Sequence, residues 1–158
     1  MLLKKELLAV FNRATKNTGR IYQADLGFLK SHLDEIVARG YIGGANISQN
    51  VFRGEGWDYE VKETESAGSL LSYEIINEPD GALLIYGDVV LANKAICLRT
   101  MFPEIMGFSI NSVCIQNMIE GKMFMILEKL RGFDFVTVRA VPDQSSVILD
   151  SPTLKDNS

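Results

Sequence analysis

FSINSVCIQNMIEGKMFMILEKLRG, residues 108–132, is the stretch on which the fold turns. At about 100° per residue, Ile115, Ile119, Met123, Ile126, Leu127 and Leu130 fall on one arc of a helical wheel. The spacing predicts a long amphipathic helix over 109–132, packed by one face against the rest of the molecule. Ser109 or Asn111 is placed to cap its first turn, and Gly132 supplies the left-handed residue that ends many helices. Lys129 and Arg131 then occupy the last turn, where cations suit the helix dipole. Gly121 is the weak link, costing about 1 kcal/mol relative to alanine. Phe124 projects from the opposite face, among Asn117, Glu120, Glu128 and Arg131, either as a second packing contact or as an aromatic for a partner.

Working outward, Leu3, Leu7, Val10, Phe11 and Ala14 repeat at helical spacing and predict a basic N-terminal helix over 2–16. A second helix is expected over 24–39, burying Leu26, Leu29, Leu33, Ile36 and Val37 and ending at Gly40. His32 sits at the edge of its stripe as a boundary histidine. Strands follow: Trp57, Tyr59 and Val61 alternate with Asp58, Glu60 and Lys62, and residues 70–76 and 82–91 flank the turn Pro79-Asp80-Gly81. Residues 93–101 lean towards a short helix, and 133–141 read as an interior strand, apolar on both faces. The expectation is therefore an α+β domain over 1–150: two N-terminal helices, a mainly antiparallel sheet of about five strands, and the long helix on one face. Residues 151–158 are too polar to dock and are expected to form a flexible tail.

Composition narrows the function classes. With 158 residues, 47% hydrophobic and 23% charged, the chain is long enough to bury a core without staples. No window approaches the apolar length of a membrane span, and Lys4, Lys5 and Glu6 interrupt the N-terminal leucines too early for a signal peptide. A cytosolic location is expected. Cys97 and Cys114 lie among apolar neighbours and read as buried free thiols. One histidine and two distant cysteines do not make a zinc site, and no cofactor fingerprint occurs.

The net charge of −4 hides a polarity along the chain. Residues 1–22 carry five cations against Glu6, a side-chain charge of +4, whereas residues 55–88 carry nine carboxylates against Lys62, a charge of −8. Such an acidic block attracts a basic partner and repels nucleic acid. The segment 29–42, ending in ARGYI, resembles the junction between the recognition helix and the wing of winged-helix proteins. That resemblance would imply DNA binding, but Asp34 and Glu35 offset Lys30 and Arg39, and a phosphate reader needs a clustered positive face.

No nucleophile and base stand in a recognisable set, and GxSxG is absent. The leading expectation is a small binding or regulatory protein that meets a basic protein partner through an acidic sheet surface comprising Trp57, Asp58, Tyr59, Glu60, Glu63 and Phe124, with homo-oligomerisation also open. The alternatives are a small-molecule enzyme using carboxylates from separate strands, and nucleic-acid binding through the basic N-terminal helix.

Overall fold

The structure is a computed structural model that describes residues 1–15, 19–45, 63–137 and 149–156. A strand, not a helix, opens the chain. β1 (Leu2–Phe11) pairs antiparallel with a later strand over Leu83–Leu91, which also pairs antiparallel with one over Gly68–Asn77. The helix-like spacing of Leu3, Leu7, Val10 and Phe11 has a local cause. The β1 register slips between Leu3 and Glu6 and again between Leu7 and Ala9, and Lys5 takes a φ of 50°. Each irregularity can carry the following side chains to the other sheet face, so the period of two is lost.

The short β2 (Ile21–Gln23) leads into α1 (Leu26–Arg39), the one N-terminal helix of the two expected. Asp25 caps it by accepting from Phe28 N at 2.8 Å, and Gly40 closes it at a φ of 82°. Leu29, Leu33 and Ile36 are buried as predicted, while Leu26, in the first turn, remains 39% exposed. The strands over Gly68–Asn77 (β3) and Leu83–Leu91 (β4) form the hairpin read from Pro79-Asp80-Gly81, with Gly81 at a φ of 89°. α2 (Asn93–Met101) follows, turning Cys97 outward rather than into the core.

Where the sequence predicts the long helix, the chain forms a hairpin of β5 (Met106–Ile119) and β6 (Lys122–Thr137). Gly121, the weak point of that helix, is the turn. Glu120 and Gly121 have φ values of 50° and 77°, the pair of positive angles that joins strands through two residues. β6 is bulged twice, because Cys114 and Val113 face Leu127 and Lys129, and Ser112 and Asn111 face Leu130 and Gly132. Glu128 and Arg131 are thereby extra residues, and the apolar positions fall at spacings of three and four as well as two. Residues 133–136 are buried on both faces, as expected of an interior strand.

The single sheet of about five strands is in fact two sheets, ordered β1-β4-β3 and β2-β6-β5-β7, with parallel pairs at β2/β6 and β5/β7. β7 (Leu149–Asp156) lies along β5, spanning the region in which the sequence suggests a tail.

Backbone hydrogen bonds then link the two sheets into a circuit. Beyond the end of β1, Asn12 N donates to Tyr22 O at 2.7 Å and Ala14 bridges Ile21, joining β1 to β2. At the other end of β6, Phe133 N and Phe135 N donate to Ile42 O and Gly44 O, while Ile42 N and Ala67 N donate to Gly68 O and Gly43 O. Residues 42–45 thus sit between β6 and the start of β3. Asp134, only 4% exposed, accepts from Gly44 N at 2.9 Å and fixes this crossing further. α1 packs across the interval on β6 and β3, and one buried core, including Leu8, Phe11, Leu33, Ile85, Phe108 and Phe133, fills the interior. Among the described residues, no helix is long and apolar enough to cross a membrane.

Candidate functional site

An open groove of about 700 Å³ lies at the N-terminal end of α1. Its floor is apolar, made by Phe28, Leu83, Ile126 and Leu127, with Leu26 on the rim. Its polar lining comes from Asn12, Gln23, Asp25, Asn77 and Asp80. Four separate pieces of chain meet here: the residue after β1, β2 with the start of α1, the β3–β4 turn with the strand ends beside it, and β6.

Most of these polar groups are held. Asn12 takes a φ of 62°, a conformation asparagine tolerates better than most residues, at the point where β1 passes into the β2 hairpin. Its side chain donates from Nδ2 to Ala24 O at 2.9 Å and accepts from Ala24 N at 3.1 Å, clamping the approach to α1. Asp25 is engaged in capping α1. Asp80 receives Arg13 Nε and Nη2 at 3.1 and 3.2 Å and Ala82 N at 3.1 Å.

That Arg13 fork, together with the Ala82 amide, holds the Asp80 carboxyl below its ordinary range. A general acid needs the opposite shift. The groove offers fixed carboxylates and side-chain amides over an apolar floor, an arrangement suited to holding and orienting a bound group. Among the described residues, no cluster of three His, Cys, Asp or Glu is arranged to hold a metal ion.

The predicted surface residues fare unevenly. Trp57, Asp58, Tyr59 and Glu60 lie outside the described residues. Glu63 is exposed in a 3₁₀ turn over Glu63–Glu65, beside the crossing where Ser66 bridges Gly44. Phe124 is half-buried near the start of β6, opposite Ile21 and Asn117. Ala45 bridges Phe135 and Gly44 bridges Ser66 at the far end of that strand, so Glu63 lies towards the opposite end of β6 from Phe124. The structure does not bring them together.

The basic N-terminal segment, expected as a helix and carried as the alternative nucleic-acid contact, forms the strand β1, paired with β4. Arg13 pairs with Asp80, Lys5 N donates to Asp88 at 2.9 Å, and Glu6 pairs with Arg99 at 3.7 Å. Of these contacts the Arg13–Asp80 pair joins a cation of the basic segment to a carboxylate of the acidic block.

Gln23, Asn77 and Asn12 escape a reading from sequence because each is an ordinary polar residue at an element end. The nearest signal is Asp25 three residues ahead of Phe28, a capping arrangement. Comparison with protein families, with curated proteins and with solved structures finds no match for this chain.

Proposed function

We propose that this chain is a binding protein that acts by seating a segment of another polypeptide in the groove at the head of α1, with no covalent chemistry of its own. The observation that carries the reading is the groove itself: about 700 Å³, open to solvent, with amide and carboxylate side chains beside apolar ones. Asparagine and glutamine each offer a donor and an acceptor, the same pair that a peptide unit presents. Asp25 and Asp80 against the single cation Arg13 favour a partner segment bearing a lysine or arginine, in keeping with the basic partner expected from composition. The hydrogen bonds of Asn12, Asp25 and Asp80 fix these groups before binding, which reduces the ordering cost of association. Complementary charge of this kind acts mainly on partner choice and association rate.

The test is selection of displayed peptides on the wild-type chain and, in parallel, on a Gln23→Arg, Leu26→Arg double variant. Both positions are exposed, so the substitutions obstruct the groove without entering the core. Peptides that combine a basic with an apolar residue should be enriched on the wild type and bind the variant at least about tenfold more weakly. Enrichment of no peptide, or peptides held equally by the variant, refutes the groove as the binding site.

A further inference from the structure

The opposite end of α1 carries a recess of different chemistry. It encloses about 280 Å³ between the last turns of the helix and the bulged part of β6, and is lined by His32, Glu35, Arg39, Tyr41, Lys129 and Arg131. Three cations against one carboxylate give these residues a formal charge of +2, in a chain whose net charge is −4. The two bulges account for part of this. Glu128 and Arg131 are the extra residues of β6, and such insertions bend a strand and re-aim its neighbouring side chains.

Arg39 is the centre of the recess. Its Nε donates to Tyr41 O at 2.8 Å and its Nη2 to Ile42 O at 2.9 Å, while the guanidinium carbon lies 4.7 Å from the centre of the Tyr41 ring. The group is therefore immobilised, half-buried and, among the described residues, without a salt bridge or an acceptor for Nη1. Burial pushes Arg39 below its ordinary value, with Tyr41 and Glu35 opposing the shift. A partly desolvated cation whose neighbouring carboxylate, Glu35, makes no salt bridge with it is costly unless something pairs with it directly. His32 is also fixed, since its Nδ1 donates to Phe28 O at 2.9 Å and its ring stacks on Phe28. Nε2 is then the ring nitrogen left for a ligand, an acceptor in the neutral ring and a donor to phosphate oxygen in the imidazolium.

We propose that this recess binds a phosphate group, either free phosphate or the phosphomonoester of a small molecule, with Arg39 and Lys129 as its principal contacts and His32 at its edge. A planar guanidinium held at two corners presents its remaining donors in a fixed direction, the geometry that favours phosphate oxygens. Glu35 and the carbonyl end of α1 work against an anion, so the cations must outweigh both.

The experiment titrates the ¹⁵N-labelled full chain with inorganic phosphate, with glycerol phosphate and, as an ionic-strength control, with chloride. Saturable shifts are expected at the amides of Tyr41, Ile42 and residues 129–132 and at Arg39 Nε, with phosphate and not with chloride. Lys129→Glu, an exposed change, should weaken binding at least about tenfold, and Arg39→Lys should weaken it while conserving charge. Circular-dichroism melts of both variants identify any loss caused by unfolding, and Lys129→Glu decides the matter if Arg39→Lys unfolds. Tighter binding of glycerol phosphate assigns the site to a phosphorylated small molecule, whereas equal binding assigns it to free phosphate. Shifts that do not saturate, that scatter over the surface, or that persist unchanged in Lys129→Glu overturn the proposal.

Discussion

Replacing Gly132 by alanine probes the crossing that joins the two sheets. A β-carbon built there falls inside the contact radius of Ile42 O and lies 2.8 Å from Arg39 Nη2. Relief requires residues 42–44 to move off β6, which stretches the bonds from Phe133 N to Ile42 O, 3.3 Å, and from Phe135 N to Gly44 O, 2.7 Å. The movement is resisted on its other side, where Ile42 N donates to Gly68 O and Ala67 N to Gly43 O. Overpacking costs about 1–3 kcal/mol. Two weakened backbone bonds add about 1 kcal/mol each. Gly132→Ala should therefore lose about 3–5 kcal/mol, a large share of the 5–15 kcal/mol that is usual for a domain.

Urea unfolding followed by circular dichroism measures the loss directly, and at about 2–4 °C per kcal/mol the melting temperature should fall by about 10 °C. Gly27→Ala is the matched control. Its β-carbon meets only Asp25 Oδ1 at 3.5 Å, within a helix, and the change should stabilise by about 0.4–1 kcal/mol. A Gly132→Ala protein that melts within about 2 °C of the wild type refutes the close crossing, and with it the link between the sheets.

Two further outcomes follow from single side chains. Cys97 is exposed and Cys114 buried, so a thiol reagent should modify one cysteine rapidly in the native protein and the second only on unfolding; rapid reaction of both, or of neither, contradicts the placement of α2 and β5. Burial, with the bond from Tyr73 Oη to Asp34 at 2.6 Å, pushes the Tyr73 hydroxyl up to about 12. Because the folded value is raised, the stability it contributes is fully present below the ordinary value of 10.0 and is lost as pH climbs from there through about 12. Tyr73→Phe should remove one late-titrating group from the tyrosinate absorbance curve, and an unchanged curve would contradict the assignment.

Where one local rule governs, the fold is legible in the sequence. α1 announces itself through a stripe of Leu29, Leu33 and Ile36 closed by Gly40, and the β3–β4 hairpin through Pro79-Asp80-Gly81. Helix and strand are confused where bulges break the alternation. In β1 and β6 the register slips twice each, and the resulting spacings of three and four imitate a helical face. A cue was present in residues 108–132: Glu120-Gly121 separates two runs rich in β-branched and aromatic residues, as a hairpin turn does. Periodicity outweighed it because the runs are long. The groove was hidden for another reason. Its residues lie far apart in sequence, and no pattern marks Asn12 and Asn77 as neighbours until β1, β4 and β3 are paired. The acidic block was legible as composition, but its partial neutralisation by Arg13 emerges only from strand order.

The circuit of strands also bears on how the chain reaches its folded state. The partners of residues 42–45 on one side are residues 133–135, so the segment that follows α1 has no complete set of backbone acceptors and donors until nearly the whole described length has been synthesised. α1 can form early, yet its seat on β6 arrives late, and contacts of such long sequence separation slow assembly. During synthesis the emerging first half would present unsatisfied strand borders, the kind of exposed edge that favours association between incomplete chains.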